Sequence, residues 1–100
     1  MKNEKDISAE YLRAVGKNVK KIRKEKDLSL EELGLKMGLT KMHVHRIEKG
    51  HNITLTTLLK LMIALDVECD DLLEFDRKFK KGDLEKLVEN SKGSRTLSKK

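Results

Sequence analysis

Residues 28–50, LSLEELGLKMGLTKMHVHRIEKG, constrain the fold of this chain more than any other stretch. The pattern spells two short amphipathic helices joined by a tight turn. Ser29 is followed three residues later by Glu32, a capping box that starts a helix. Leu30, Leu33 and Met37 then recur at spacings of four or less, which gives one apolar stripe. Gly38 ends that helix, where a left-handed backbone residue costs least. Leu39 plugs the turn, and Thr40 is placed to cap a second helix. In the second helix Val44 and Ile47 face inward and Gly50 closes it. Lys41, Met42, His45 and Arg46 share its outer face by the i, i+3, i+4 rule. Gly34 lies inside the first of these helices, where glycine costs about 1 kcal/mol relative to alanine. It is either a point where two helices cross closely or a tolerated stand-in for alanine.

The rest of the chain reads as more helix. Leu12, Val15, Val19 and Ile22 form a stripe at helical spacing, predicting a first helix over residues 8–26. Thr54 can cap a fourth helix, whose Leu55, Leu58, Leu59, Met62 and Leu65 are expected to pack on the others. A short fifth helix is expected over residues 70–75, supplying Leu72 and Leu73. Proline is absent and no stretch alternates apolar with polar residues, so the expected class is all-α. With three aromatic residues in 100 (Tyr11, Phe75, Phe79), the core of a single small domain must be aliphatic. Residues 1–8 read as a flexible arm, 9–75 as the domain, and 76–100 as a basic tail. In that tail Leu84, Leu87 and Val88 suit one more amphipathic turn or two, and residues 92–100 read as disordered.

The net charge of +6 is unevenly spread: residues 1–27 carry +4, 28–73 carry −2 and 74–100 carry +4. Lys17, Lys20, Lys21, Lys24 and Lys26 crowd the first helix. By itself such a run is a solvated face; in a nucleic-acid-binding chain some of it flanks phosphates. The acidic residues Glu31, Glu32, Glu68, Asp70 and Asp71 sit where they complement helix N-termini. One cysteine, Cys69, excludes an internal disulfide and fits a reducing cytoplasm. No apolar run is long enough to span a membrane, and the charged start has no signal-peptide core.

Taken together, residues 28–50 resemble the helix-turn-helix of the phage repressor and Cro family, the lambda-repressor-like or xenobiotic-response-element class. The resemblance extends over residues 16–73. Upstream, GKNVKKIR (16–23) resembles that family's first helix; downstream, ITLTTLLKL (53–61), ALDV (64–67) and DDLL (70–73) resemble its fourth and fifth. It implies a five-helix DNA-binding domain carrying a basic, partly disordered C-terminal tail. Three positions depart from the family pattern. Leu30 stands where a phosphate-clamping glutamine is common, Asp27 replaces a glycine, and Asn52-Ile53 replaces a proline-containing turn.

The resemblance also assigns roles. A recognition helix over residues 41–49 lies in the major groove with its N-terminal residues against the base edges. Lys41 and Arg46 suit the two acceptors of guanine, Met42 a thymine methyl, and His45 either a donor or an acceptor. Thr40, His43 and Lys49 are expected at phosphates. Arg23 and Glu48 match a structural pair beneath the recognition helix. These roles imply a transcriptional regulator of double-stranded DNA, a repressor-type homodimer on a palindromic operator, in a bacterial or phage-derived cytoplasm at the nucleoid. Its dimer surface is expected around the fifth helix, where Leu73, Phe75 and Phe79 leave apolar surface beyond the core. The alternative is a protein-binding adaptor or antitoxin-like module whose C-terminal tail folds on a protein partner; Leu30 and the slightly acidic core favour it. No metal is expected, because His43 and His45 stand two residues apart on a helix and point to different sides. No cofactor or enzymatic activity is expected either: there is no phosphate-cradling glycine loop and no nucleophile with a paired base.

Overall fold

The computed structural model of the chain describes residues 7–74 and 81–90. Among these residues there are six helices and no strand: α1 (Ile7–Glu25), α2 (Leu30–Met37), α3 (Lys41–Glu48), α4 (Leu55–Leu65), α5 (Cys69–Leu72) and α6 (Lys81–Asn90). Side chains of short range start most of them. Ser29 Oγ accepts from Glu32 N–H at 2.9 Å while Glu32 accepts from Ser29 N–H at 2.8 Å, so both bonds of the capping box form. Thr40 and Thr54 cap α3 and α4, each accepting a backbone N–H at 3.1 Å. At the head of α5, Asp71 accepts from Glu68 N–H at 2.9 Å.

The ends of α1, α2 and α4 share one design. The N–H of the residue at the turn and that of its successor fold back onto carbonyls of the last turn, with the turn residue left-handed. Gly38 (φ 72°) does this after α2, with Leu39 N–H donating to Gly34 O at 2.8 Å. After α1 the left-handed residue is Asp27 (φ 58°), with Leu28 N–H donating to Arg23 O at 3.1 Å. Asp66 (φ 56°) plays the part after α4. Aspartate tolerates this conformation better than most L-residues, although glycine would take it without strain.

The core is aliphatic. Val19, Leu33, Val44, Leu61, Leu65 and Leu72 are fully buried, with Val15, Met37 and Ile47 nearly so. Two glycines let the backbones come close enough for that. A Cβ on Gly34 would stand 2.7 Å from Leu39 O, so α2 and the α2–α3 turn touch backbone to backbone there. A Cβ on Gly16 would stand 2.5 Å from Glu48 O and 2.7 Å from Ile47 O, so α1 crosses the carboxyl end of α3 at that point. Asn18, on the next turn's approach, donates from Nδ2 to Leu72 O at 2.8 Å and Glu74 O at 3.1 Å, tying α5 to α1.

Several expectations need correcting. Helix α1 begins at Ile7, inside the segment read as an arm, and Ile7 is buried. In α4, Leu58, Met62 and Leu65 turn inward with Leu61, but Leu55 (71% exposed) and Leu59 (47%) turn outward with Ile63 (80%). The helix is apolar on every side, so hydrophobicity did not mark which stripe would be inward. Helix α5 is shorter than expected and leaves Leu73 exposed. Leu84, Leu87 and Val88 do lie on a helix, α6, which packs against α1, yet all three are exposed and Asp83 is the buried residue. The arm through residue 6, Phe75, Phe79 and the stretch 92–100 lie outside the described residues.

A Gly16→Ala substitution is expected to lower stability by about 1–3 kcal/mol, because the clashing atoms are backbone carbonyls that cannot rotate aside. Asp27→Gly is expected to raise it, by up to about 1 kcal/mol. Urea denaturation of the two variants beside the parent chain checks both signs.

Candidate nucleic-acid interface

Helix α3 owes its position to the groups under and behind it. Val44 and Ile47 are buried against the core, and Thr40 fixes the first turn. Below its last turn sits an ion pair between elements distant in sequence. Arg23 Nε donates to Glu48 Oε2 at 2.6 Å and Nη2 to Glu48 Oε1 at 3.2 Å, a two-pronged contact between side chains only 8% and 5% exposed. The third arm of the guanidinium, Nη1, donates to Leu28 O at 2.8 Å. One buried cation therefore holds the end of α3, the end of α1 and the chain entering α2. The planar fork of arginine suits this task; a lysine would present a single point charge and satisfy fewer of these acceptors.

None of the described residues covers the outer side of α3. Lys41, Met42, His43, His45, Arg46 and Lys49 are all exposed or partly so, Met42 at 53%. At 3.6 residues per turn, Met42, His45, Arg46 and Lys49 stand opposite the buried pair Val44 and Ile47. Lys41 and His43 lie toward the two edges. Lys41 turns toward the start of α2, where it lines an open hollow of about 340 Å³ with Arg23, Ser29, Leu30 and Glu31. Thr40 Oγ accepts from His43 N–H, and its own hydroxyl hydrogen remains able to donate outward. The face thus gathers cations, a histidine and a thioether on a short helix held rigidly at both ends.

Two positioning residues escaped the sequence reading. Gly16 entered only as part of a family pattern, although a glycine inside a 19-residue helix carried the same signal as Gly34. Asn18 gave no signal, since a polar residue on an amphipathic helix is ordinary until its distant acceptors are known. Among the described residues, no group of three His, Cys, Asp or Glu side chains is placed to hold a metal ion, and no helix is long and apolar enough to cross a membrane.

A helix-turn-helix family profile matches residues 19–72, more than half of the chain. The chain belongs to the Cro/C1-type helix-turn-helix family. Among solved structures, it is similar to the restriction-modification controller protein C.AhdI from Aeromonas hydrophila. The two are 35% identical with a TM-score of 0.62, covering 67% of this chain and 97% of the other. No curated protein matches. As a member of this family the chain is a DNA-binding transcription regulator. The family profile ends at residue 72, so α6 lies beyond it.

Removing Glu48 would leave the Arg23 charge buried without its partner, a change that commonly costs about 3–5 kcal/mol. Glu48→Ala is therefore expected to melt well below the parent chain. A melting temperature indistinguishable from that of the parent, by circular dichroism, would show that the pair contributes nothing to the fold.

Proposed function

We propose that the chain is a sequence-specific regulator that binds a palindromic operator as a homodimer, with α3 reading the major groove. The observation that carries this reading is the outer face of α3, cationic and exposed on a helix fixed by Thr40 above and the Arg23–Glu48 pair below. Met42, His45 and Arg46 are the base-contacting candidates. Thr40, His43 and Lys49 are candidates for phosphates. Lys41, placed between α3 and the start of α2, serves either edge of the groove. A single such helix reads only a few base pairs, and two related by a two-fold axis about 34 Å apart read a whole operator. The likeness to a restriction-modification controller favours a role of that kind.

The dimer surface we favour is on α4 rather than around α5. Leu55, Leu59 and Ile63 recur at i, i+4 and i+8 and form an exposed apolar stripe. In a chain in which 40% of residues are charged, α4 carries one charge, Lys60, among eleven residues. Burying side chains of this size is worth about 1.5–3 kcal/mol each. A second copy of the same stripe, packed about a two-fold axis, matches it without stranding a charge.

Selection from a random duplex library is expected to enrich an inverted repeat with half-sites one helical turn apart. Enrichment of no sequence, with co-purification of a protein partner, would favour the adaptor role instead. Arg46→Ala is expected to cost about 1–3 kcal/mol of specific affinity and leave the melting temperature unchanged. Leu59→Glu is expected to give a folded monomer in sedimentation, with operator affinity falling steeply. A dimer that survives Leu59→Glu would move the interface elsewhere.

A further inference from the structure

Four cations on α1 share one face. Arg13, Lys17, Lys20 and Lys24 are spaced four, three and four residues apart, and all are exposed. At 3.6 residues per turn and 1.5 Å per residue they fall within an arc of about 60° along a stripe about 16 Å long. Among the described residues none of the four has a carboxylate within ion-pair distance, whereas neighbouring Lys21 is turned to Glu25 at 3.9 Å. Like charges at these spacings repel, costing the isolated helix a few tenths of a kcal/mol per pair. The stripe therefore does not serve the stability of α1.

Its placement supplies a purpose. Helix α1 crosses the carboxyl end of α3, with Gly16 against the Ile47 and Glu48 carbonyls and Arg23 gripping the Glu48 carboxylate. The Arg13 stem lies against Gly50 in the turn beyond α3. By helical phase the stripe runs along the side of α1 next to Gly16, away from the core-facing Val15 and Val19. It therefore flanks the end of α3 at which Arg46, Lys49 and His51 are exposed.

We propose that α1 is a second DNA-binding element, whose stripe grips the phosphate backbone beside the groove entered by α3. This inference rests on the reading of α3 as the recognition helix. Lysine ammonium groups are point charges on flexible stems, suited to phosphates and poorly suited to fixed base patterns. The stripe thus adds affinity and salt dependence but no sequence preference.

The test replaces Lys17, Lys20 and Lys24 together by glutamine, which keeps helix propensity. Arg13 is left in place because its stem packs on Gly50. Affinity for the selected operator duplex and for a scrambled duplex is measured by fluorescence anisotropy across a potassium chloride series. The slope of log affinity against log salt is expected to become shallower by about 5.4, since the two protomers of the bound dimer together give up six phosphate contacts and each removes about 0.9. The drop should appear on both duplexes, with their affinity ratio unchanged, and a triple Lys→Arg variant should retain the parent slope. An unchanged slope, with operator binding intact, overturns the role of α1 and leaves that of α3 standing. A changed affinity ratio overturns it too, since the stripe would then be reading sequence. Failure of the parent chain to bind either duplex overturns both readings.

Discussion

Everything that presents α3 depends on one buried guanidinium. All three nitrogens of Arg23 have partners on distant or neighbouring stretches of chain: two go to the Glu48 carboxylate and one to the Leu28 carbonyl. Placing a charge there is costly, and an apolar pair of the same volume could pack as stably. What hydrophobic contact does not supply is direction. A two-pronged pair fixes both the distance and the rotation of α3 relative to α1, and a helix read along one face requires both to be set. The carbonyl of Arg23 has a second role, accepting the Leu28 N–H that turns the chain toward α2. A single residue thus ends one helix, aims the next and seats the third.

That arrangement works only because the backbones meet closely. At Gly16 the first helix rests on the last carbonyls of α3, and at Gly34 the second rests on the turn that leads into α3. A methyl group at either position would stand 2.5–2.7 Å from a backbone carbonyl oxygen, so the backbones would have to shift apart. The salt bridge and the two glycines therefore form one constraint. The pair pulls α1 and α3 together, and the absence of side chains lets them arrive.

Features with local causes were legible in the sequence. Ser29 with Glu32, Thr40 and Thr54 act on N–H groups three residues away, so their caps can be read from short windows. The inward stripes of α2 and α3 were legible for the same reason: polar residues surround them and the period stands out. Helix α4 was not, because leucines and isoleucine lie on all its sides and periodicity assigns no inner face. Leu55, Leu59 and Ile63 could be told from Leu61 and Leu65 only once neighbouring helices were placed. Arg23 and Glu48, twenty-five residues apart, came from the family pattern rather than from any spacing. The bonds from Asn18 to the carbonyls of Leu72 and Glu74 span more than fifty residues and leave no trace in composition. The outer face of α3 was legible as a set of exposed residues, but the turn of Lys41 toward α2 needed the angle between the two helices.

Charge placement adds a last level of order. The first turns of α2 and α5 carry Glu31 and Glu32, and Asp70 and Asp71, whereas those of α3 and α4 carry no acid. Carboxylates at a helix start satisfy its N–H groups and offset the positive end of its dipole. The same carboxylates repel phosphate. Helix α3, by contrast, is capped by a neutral threonine, and its first residue is Lys41. This division explains how a domain whose central portion has a net charge of −2 can still be a DNA-binding one. The acids at the helix starts serve folding, whereas among the described residues Arg13, Lys17, Lys20 and Lys24 on α1 and Lys41, Arg46 and Lys49 at α3 have no carboxylate at ion-pair distance. Net charge alone would have placed the binding surface on the termini, whereas the pattern of acidic and neutral helix starts favours the surroundings of α3.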